Sequence, residues 1–115
     1  MSDFDAVVTR YLQAWNETDP AGRRATIEEV FAADVRYVDP LAAVEGHEAL
    51  DTLIGAVQQQ FPGLTFTPGG VADAHHDQGR FTWHLGPDVA GFDVVELDAD
   101  GRIRTVLGFL DQVPA

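Results

Sequence analysis

A phenol and two carboxylates stand where the surrounding pattern is apolar. In "FDVVELD" the two-residue alternation of a strand puts Asp93, Val95 and Leu97 on one face and Phe92, Val94 and Glu96 on the other. Val95 and Leu97 read as interior, which draws Asp93 inward, although Phe92 and Val94 are apolar too. In "DVRYVDP", Val35, Tyr37 and Asp39 share a face, and Pro40 holds Asp39 in extended backbone, so its carboxylate leaves the strand end in a defined direction. Tyr11 lies in the apolar stripe of an amphipathic stretch. Carboxylates beside an apolar space can take or give protons and a phenol can donate a hydrogen bond, which is the equipment of general acid–base chemistry. Each residue also has an ordinary reading: Asp39 as a turn aspartate before proline, Asp93 as a bulge residue near Gly91, Tyr11 as a core tyrosine bonded to a carbonyl.

The elements that must position these groups follow from periodicity. Phe4, Val8, Tyr11, Leu12 and Trp15 recur at spacings of three and four, one stripe of a first helix. "TDPAGRRATIEEVF" begins a second, with Asp19 as N-cap, Pro20 in the first turn, and Ile27, Val30 and Phe31 as its apolar face. "DVRYVDP" is too short and too rich in β-formers to be helical. "GHEALDTLIGAVQQQF" gives a third helix through Leu50, Leu53, Ile54, Val57 and Phe61, stopped by Pro62-Gly63. Five strands are expected afterwards, in "LTFTP", "GVADAHH", "RFTWHLG", "VAGFDVVELD" and "RIRTVLGFLD", separated by Gly-, Pro- and Asp-rich turns. Helices first and a strand meander later predict an α+β fold, with three helices packed on a curved, mainly antiparallel sheet in a cone-shaped roll with an apolar interior.

Bulk properties narrow the function. A length of 115 residues suits one domain, spanning 1–115, with a core of its own. The formal charge of −12, no lysine and seven scattered arginines disfavour nucleic acid and anionic membranes. No cysteine is present, which excludes disulfides, thiolate nucleophiles and Cys-ligated zinc. "MSDFDAVV" lacks the features of a signal peptide, and no apolar run approaches the ~20 residues of a membrane span, so a cytoplasmic protein is expected. His75 and His76 are adjacent and point to opposite sides of a strand, poor geometry for one metal. His84 alternates with Trp83 and should face away from the interior that Phe81 and Trp83 line. His47-Glu48 reads as helix-start electrostatics. Asp111, near the end of the last strand, is a second candidate acid or base.

"VVTRYLQAWNETD", "FAADVRYVDP" and the aspartate before "DADGRI" together resemble the Δ5-3-ketosteroid isomerases, within the nuclear transport factor 2-like superfamily of cone-shaped α+β domains. "FPGLTF" and "DVVELDADGRI" look equally like the SnoaL-like group, which includes polyketide cyclases. The isomerase resemblance implies roles residue by residue: Asp39 as general base, Tyr11 and a protonated Asp93 as donors to the developing oxyanion. It also implies a cofactor-independent reaction on a small apolar or carbonyl-bearing molecule, and a homodimer through the outer sheet face. Trp15, Phe31, Val57, Phe61, Phe66, Trp83 and Val95 are the expected pocket residues. One departure is visible: the isomerases support their catalytic tyrosine with another from the third helix, where this chain has Ile54. A cyclase or hydrolase with another acid and base, or a ligand-binding domain without catalysis, fits the same fold.

Overall fold

A computed structural model describes residues 3–114. Helix α1 spans Asp3–Asn16, α2 Pro20–Val30 and α3 His47–Gln60; the strands are β1 Phe31–Val38, β2 Ala43–Glu45, β3 Phe66–His75, β4 Gln78–Leu85, β5 Val89–Leu97 and β6 Ile103–Gln112. They form one open sheet in the order β2-β1-β6-β5-β4-β3. The β1–β6 pair is parallel and every other pair antiparallel. The expected α+β roll is the observed fold.

The helices cover one face, and the alternation of each strand records it. In β5 Val89, Gly91, Asp93 and Val95 are buried while Ala90, Phe92, Val94 and Glu96 are only half-buried; in β4 Gly79, Phe81, Trp83 and Leu85 are buried. Phe4 and Tyr11 of α1 set their rings against Phe81 at centroid distances of 6.2 and 5.1 Å. The helices are joined by polar ties that serve groups a helix leaves unpaired at its ends. Gln58 of α3 donates to the carbonyls of Trp15 and Glu17 at 3.0 and 2.8 Å, closing the C-terminal end of α1. Arg23 of α2 reaches Asp51 at 2.5 Å and Gln58 at 2.9 Å. Asp19 caps α2 as expected, its carboxylate accepting from the Gly22 N–H at 2.8 Å.

Three local expectations are corrected. Phe31 does not belong to the apolar face of α2: it caps that helix in extended backbone (φ −111, ψ 143) and opens β1. Val35, Tyr37 and Val38 further along favour the strand, and pairing with β6 begins at Phe31↔Ile103. "LTFTP" and "GVADAHH" are not two strands but one, β3, with a bulge between them: Pro68 pairs with Trp83 and Ala72 with Phe81, so Gly69, Gly70 and Val71 stand opposite Thr82. Pro68 lacks an N–H and the glycines bend without strain, which distorts an edge strand here rather than turning it back. The short strand β2, paired with β1 through Arg36↔Glu45, falls where only a loop was expected.

Candidate functional site

The covered face does not close completely at the β1, β6 and β5 side. A cavity of about 220 Å³ opens there, with Tyr11, Trp15, Tyr37, Asp39, Phe66, Trp83 and Asp93 among its lining residues. Its position follows from local geometry. Asn16 at the end of α1 pins the first residue of β3, donating to the Phe66 carbonyl at 2.9 Å and accepting from the Phe66 N–H at 2.6 Å, which sets Phe66 between Trp15 and Trp83 at centroid distances of 5.4 and 5.3 Å. Gly91 gives Trp83 its room, since a Cβ there would lie 2.5 Å from the indole.

The inward reading of Asp93 holds: it is the buried charged residue of the core, 2% exposed. The Tyr11 hydroxyl donates to Asp93 Oδ2 at 2.6 Å, joining α1 to β5 across 82 residues of sequence. Loss of hydration is the main cause that pushes the Asp93 carboxyl up to about 6; the Tyr11 hydrogen bond opposes it and the Asp39 charge adds to it. The Trp83 indole opposes it as well, with more effect than the Asp39 charge, although no acceptor lies in hydrogen-bonding geometry to Trp83 Nε1 or to Trp15 Nε1, both buried. Burial raises the Tyr11 phenol well above its ordinary value, with the Asp93 charge next in importance, so Tyr11 is a neutral donor at any ordinary pH.

Asp39 serves the turn and also lies on the cavity wall. Its Oδ1 accepts the Leu41 and Ala42 N–H groups, each at 2.8 Å, which is the turn chemistry expected before Pro40. Its Oδ2 accepts the Tyr37 hydroxyl at 2.6 Å, and the residue lies on the cavity wall. Burial, followed by the charges and hydrogen bond of the two aspartates, raises the Tyr37 phenol too. Gly108 of β6 separates the carboxylates: a Cβ there would lie 2.9 Å from Asp93 Oδ1 and 3.2 Å from Asp39 Cβ. Only a residue without a side chain lets them stand side by side. Two phenol–carboxyl pairs therefore share one wall.

Of the other expected pocket residues, Trp15, Val57, Phe61, Phe66 and Trp83 line the cavity. Phe31 and Val95 do not; both are 0% exposed within the core. Phe31 packs on the Tyr11 ring at 5.8 Å, and Val95 lies one inward position beyond Asp93, toward the filled end of the roll. Phe81 is likewise core, beneath Tyr11. Tyr37 was not among the candidates, although its shared parity with Asp39 was the available signal. Asp111 and His84 are exposed and lie off this wall. His47 donates through Nε2–H to the Phe31 carbonyl at 2.8 Å, tying α3 to β1. Among the described residues no group of His, Cys, Asp and Glu has metal-binding geometry, and no helix is long and apolar enough to cross a membrane.

Comparisons place this arrangement among known folds. No curated protein matches the chain. A proposed isomerase of the SnoaL-like family from Agrobacterium tumefaciens is 40% identical, with a TM-score of 0.92 over 96% of this chain and 99% of that one. A proposed ketosteroid isomerase from Kribbella flavida shares the fold at 20% identity, with a TM-score of 0.70 over 96% of this chain and 78% of that one. So does a protein with a ketosteroid isomerase-like fold from Catenulispora acidiphila solved with trimethylamine, at 19% identity and a TM-score of 0.71 over 89% and 82% of the two chains. Residues 8–106 match the model of the SnoaL-like domain, and with the curled sheet and its walled cavity this establishes that the chain belongs to the SnoaL-like family.

Proposed function

We propose that the protein is a cofactor-independent isomerase that moves a proton next to a carbonyl group. Asp39 takes a proton from the carbon beside the carbonyl and returns it further along the conjugated system, so the double bond shifts and no atoms are lost. Tyr11 and protonated Asp93 meet the carbonyl oxygen as negative charge grows on it. A neutral carboxylic acid serves as oxyanion donor in this way in ketosteroid isomerase, and the mechanism is carried over to this chain by resemblance. The observation that carries the reading is the buried 2.6 Å Tyr11–Asp93 hydrogen bond on the wall that Asp39 shares.

Aspartate is a weak base, so the rate must come largely from stabilising the enolate, and the surroundings suit that task. The Asp93 carboxyl is already pushed up to about 6, and an oxyanion beside it would raise it further, retaining the donor proton. The unpaired Trp15 and Trp83 N–H groups add positive edge to the same wall. Fixed by two backbone N–H groups through Oδ1, Asp39 presents Oδ2 as its basic oxygen, in a direction set by Tyr37.

The test is proton exchange at the carbon beside the carbonyl of small β,γ-unsaturated ketones, followed by NMR in heavy water. Asp39→Asn should lower the exchange rate by about 10²- to 10⁴-fold with the fold retained; an unchanged rate refutes the assignment. A non-catalytic ligand-binding domain is the second reading, favoured by the three hydrogen bonds that already occupy Asp39. It requires ligands that raise the melting temperature without any exchange.

A further inference from the structure

Five large apolar side chains are exposed among the described residues: Leu41, Leu64, Leu107, Phe109 and Val113. Three of them, Leu41 at 80%, Phe109 at 49% and Val113 at 57%, lie on the wall of the one cavity that holds both aspartates. They come from separate parts of the chain: Leu41 from the turn after β1, Phe109 from β6, Val113 from the segment that follows it. Isolated exposed apolar residues need no explanation, but convergence of three on a cavity mouth forms a collar that water covers poorly. The wall itself carries no cation: apart from Asp39 and Asp93 its residues are uncharged.

Cavity size bounds what can sit inside. At about 220 Å³ it exceeds the ~150 Å³ apolar cavity that accommodates benzene, by room for substituents or a second ring. A larger fused ring system has to emerge at the mouth. Polar groups gather at the deep end, where Tyr11 and Asp93 are 2% exposed, and the apolar collar surrounds the open end.

We propose that the ligand of this pocket is a one- or two-ring carbonyl or enol compound bearing an apolar chain, its oxygen held at Tyr11 and Asp93 and its chain laid along Leu41, Phe109 and Val113. The inference rests on the proposed function for the oxygen end and adds the chain end, which that function does not require. Covering the collar with the ligand's own chain removes apolar surface from water on both partners.

Both tryptophans of the chain line this cavity, so their fluorescence reports occupancy directly. The probes are 4-methylphenol, 4-propylphenol and 4-hexylphenol, whose hydroxyl stands in for the enol oxygen. Affinity should rise by about two- to four-fold per added methylene, the range from half to full burial of the group. In the Leu41→Ser/Val113→Ser double variant the hexyl-to-methyl affinity ratio should fall toward one. Leu107→Ser, exposed on β6 but away from the cavity, should keep the wild-type ratio. A flat series in the wild-type protein, or the same ratio in the double variant, overturns the inference. Failure of the oxygen assignment has a different signature: Tyr11→Phe and Asp93→Asn would leave 4-methylphenol affinity untouched while the chain-length gain persisted.

Discussion

The two phenol–carboxyl pairs have the same chemistry and the same 2.6 Å hydrogen bond but opposite construction. Tyr37 and Asp39 are two residues apart on one strand end, and Asp39 has two backbone N–H donors besides the phenol. Tyr11 and Asp93 are 82 residues apart, and the phenol is the donor bonded to a carboxyl with almost no access to water. The local pair anchors a carboxylate with donors to spare. The distant pair buries its carboxyl away from water, and that loss of hydration, which the Tyr11 hydrogen bond opposes, raises its value from the ordinary 3.8 to about 6. One fold can thus place a carboxyl held by three hydrogen bonds and a carboxyl buried from water within one cavity, by differing in what surrounds each.

After the loss of exchange in Asp39→Asn, the largest expected effect is on stability, and it breaks the contrast at its deep end. The folded-state value of Asp93, about 6, lies above the ordinary 3.8, so the folded protein holds a proton that the unfolded chain has released. The resulting penalty is absent below pH 3.8, grows between 3.8 and about 6, and is constant above. Asp93→Asn should therefore stabilise the protein at pH 7 by up to about 3 kcal/mol and by almost nothing near pH 3.8. Urea unfolding at both pH values measures it; equal gains at the two would show that charge burial is not the cause.

Tyr11→Phe sharpens the contrast from the donor side. Removing the phenol leaves a buried acceptor unmatched, a loss of about 1–3 kcal/mol at pH 7. Because the hydrogen bond lowers the Asp93 value, its loss should move that carboxyl above about 6, read as the midpoint of its ¹³C NMR titration. A midpoint that stayed in place would mean that the bond does not favour the ionised form.

Tyr37→Phe should do least. Asp39 keeps the Leu41 and Ala42 N–H groups, so the expected loss is about 1 kcal/mol, a few degrees in melting temperature. An effect as large as that of Tyr11→Phe would erase the distinction between the two pairs.

Much of the local pair, Tyr37 and Asp39, was legible from "RYVDP". Strand parity puts Tyr37 with Asp39, and Pro40 fixes the backbone; both operate over a few residues, where sequence order and spatial order coincide. The helices were legible for the same reason, through stripes such as Phe4, Val8, Tyr11, Leu12 and Trp15. Where local rules competed, the reading failed. Phe31 fits a helical stripe and a strand equally well, and pairing with Ile103 decided it. Pro68-Gly69-Gly70 signals a turn or a bulge, and the neighbouring strand β4 decided that.

The sequence by itself determined that Asp93 shares a strand face with Val95 and Leu97, the phenol in the first helix, the extended Asp39 and the acidic, cysteine-free composition, while the burial of that face came from the structure. Only the tertiary structure decided that Tyr11 meets Asp93, that Gly108 lets the two carboxyls stand together, and that Phe31 and Val95 fill the core instead of lining the cavity. The reason is range. Periodicity reports which face a side chain takes within its own element, whereas a titrating carboxyl and an open cavity depend on how distant elements stack and on the water they exclude.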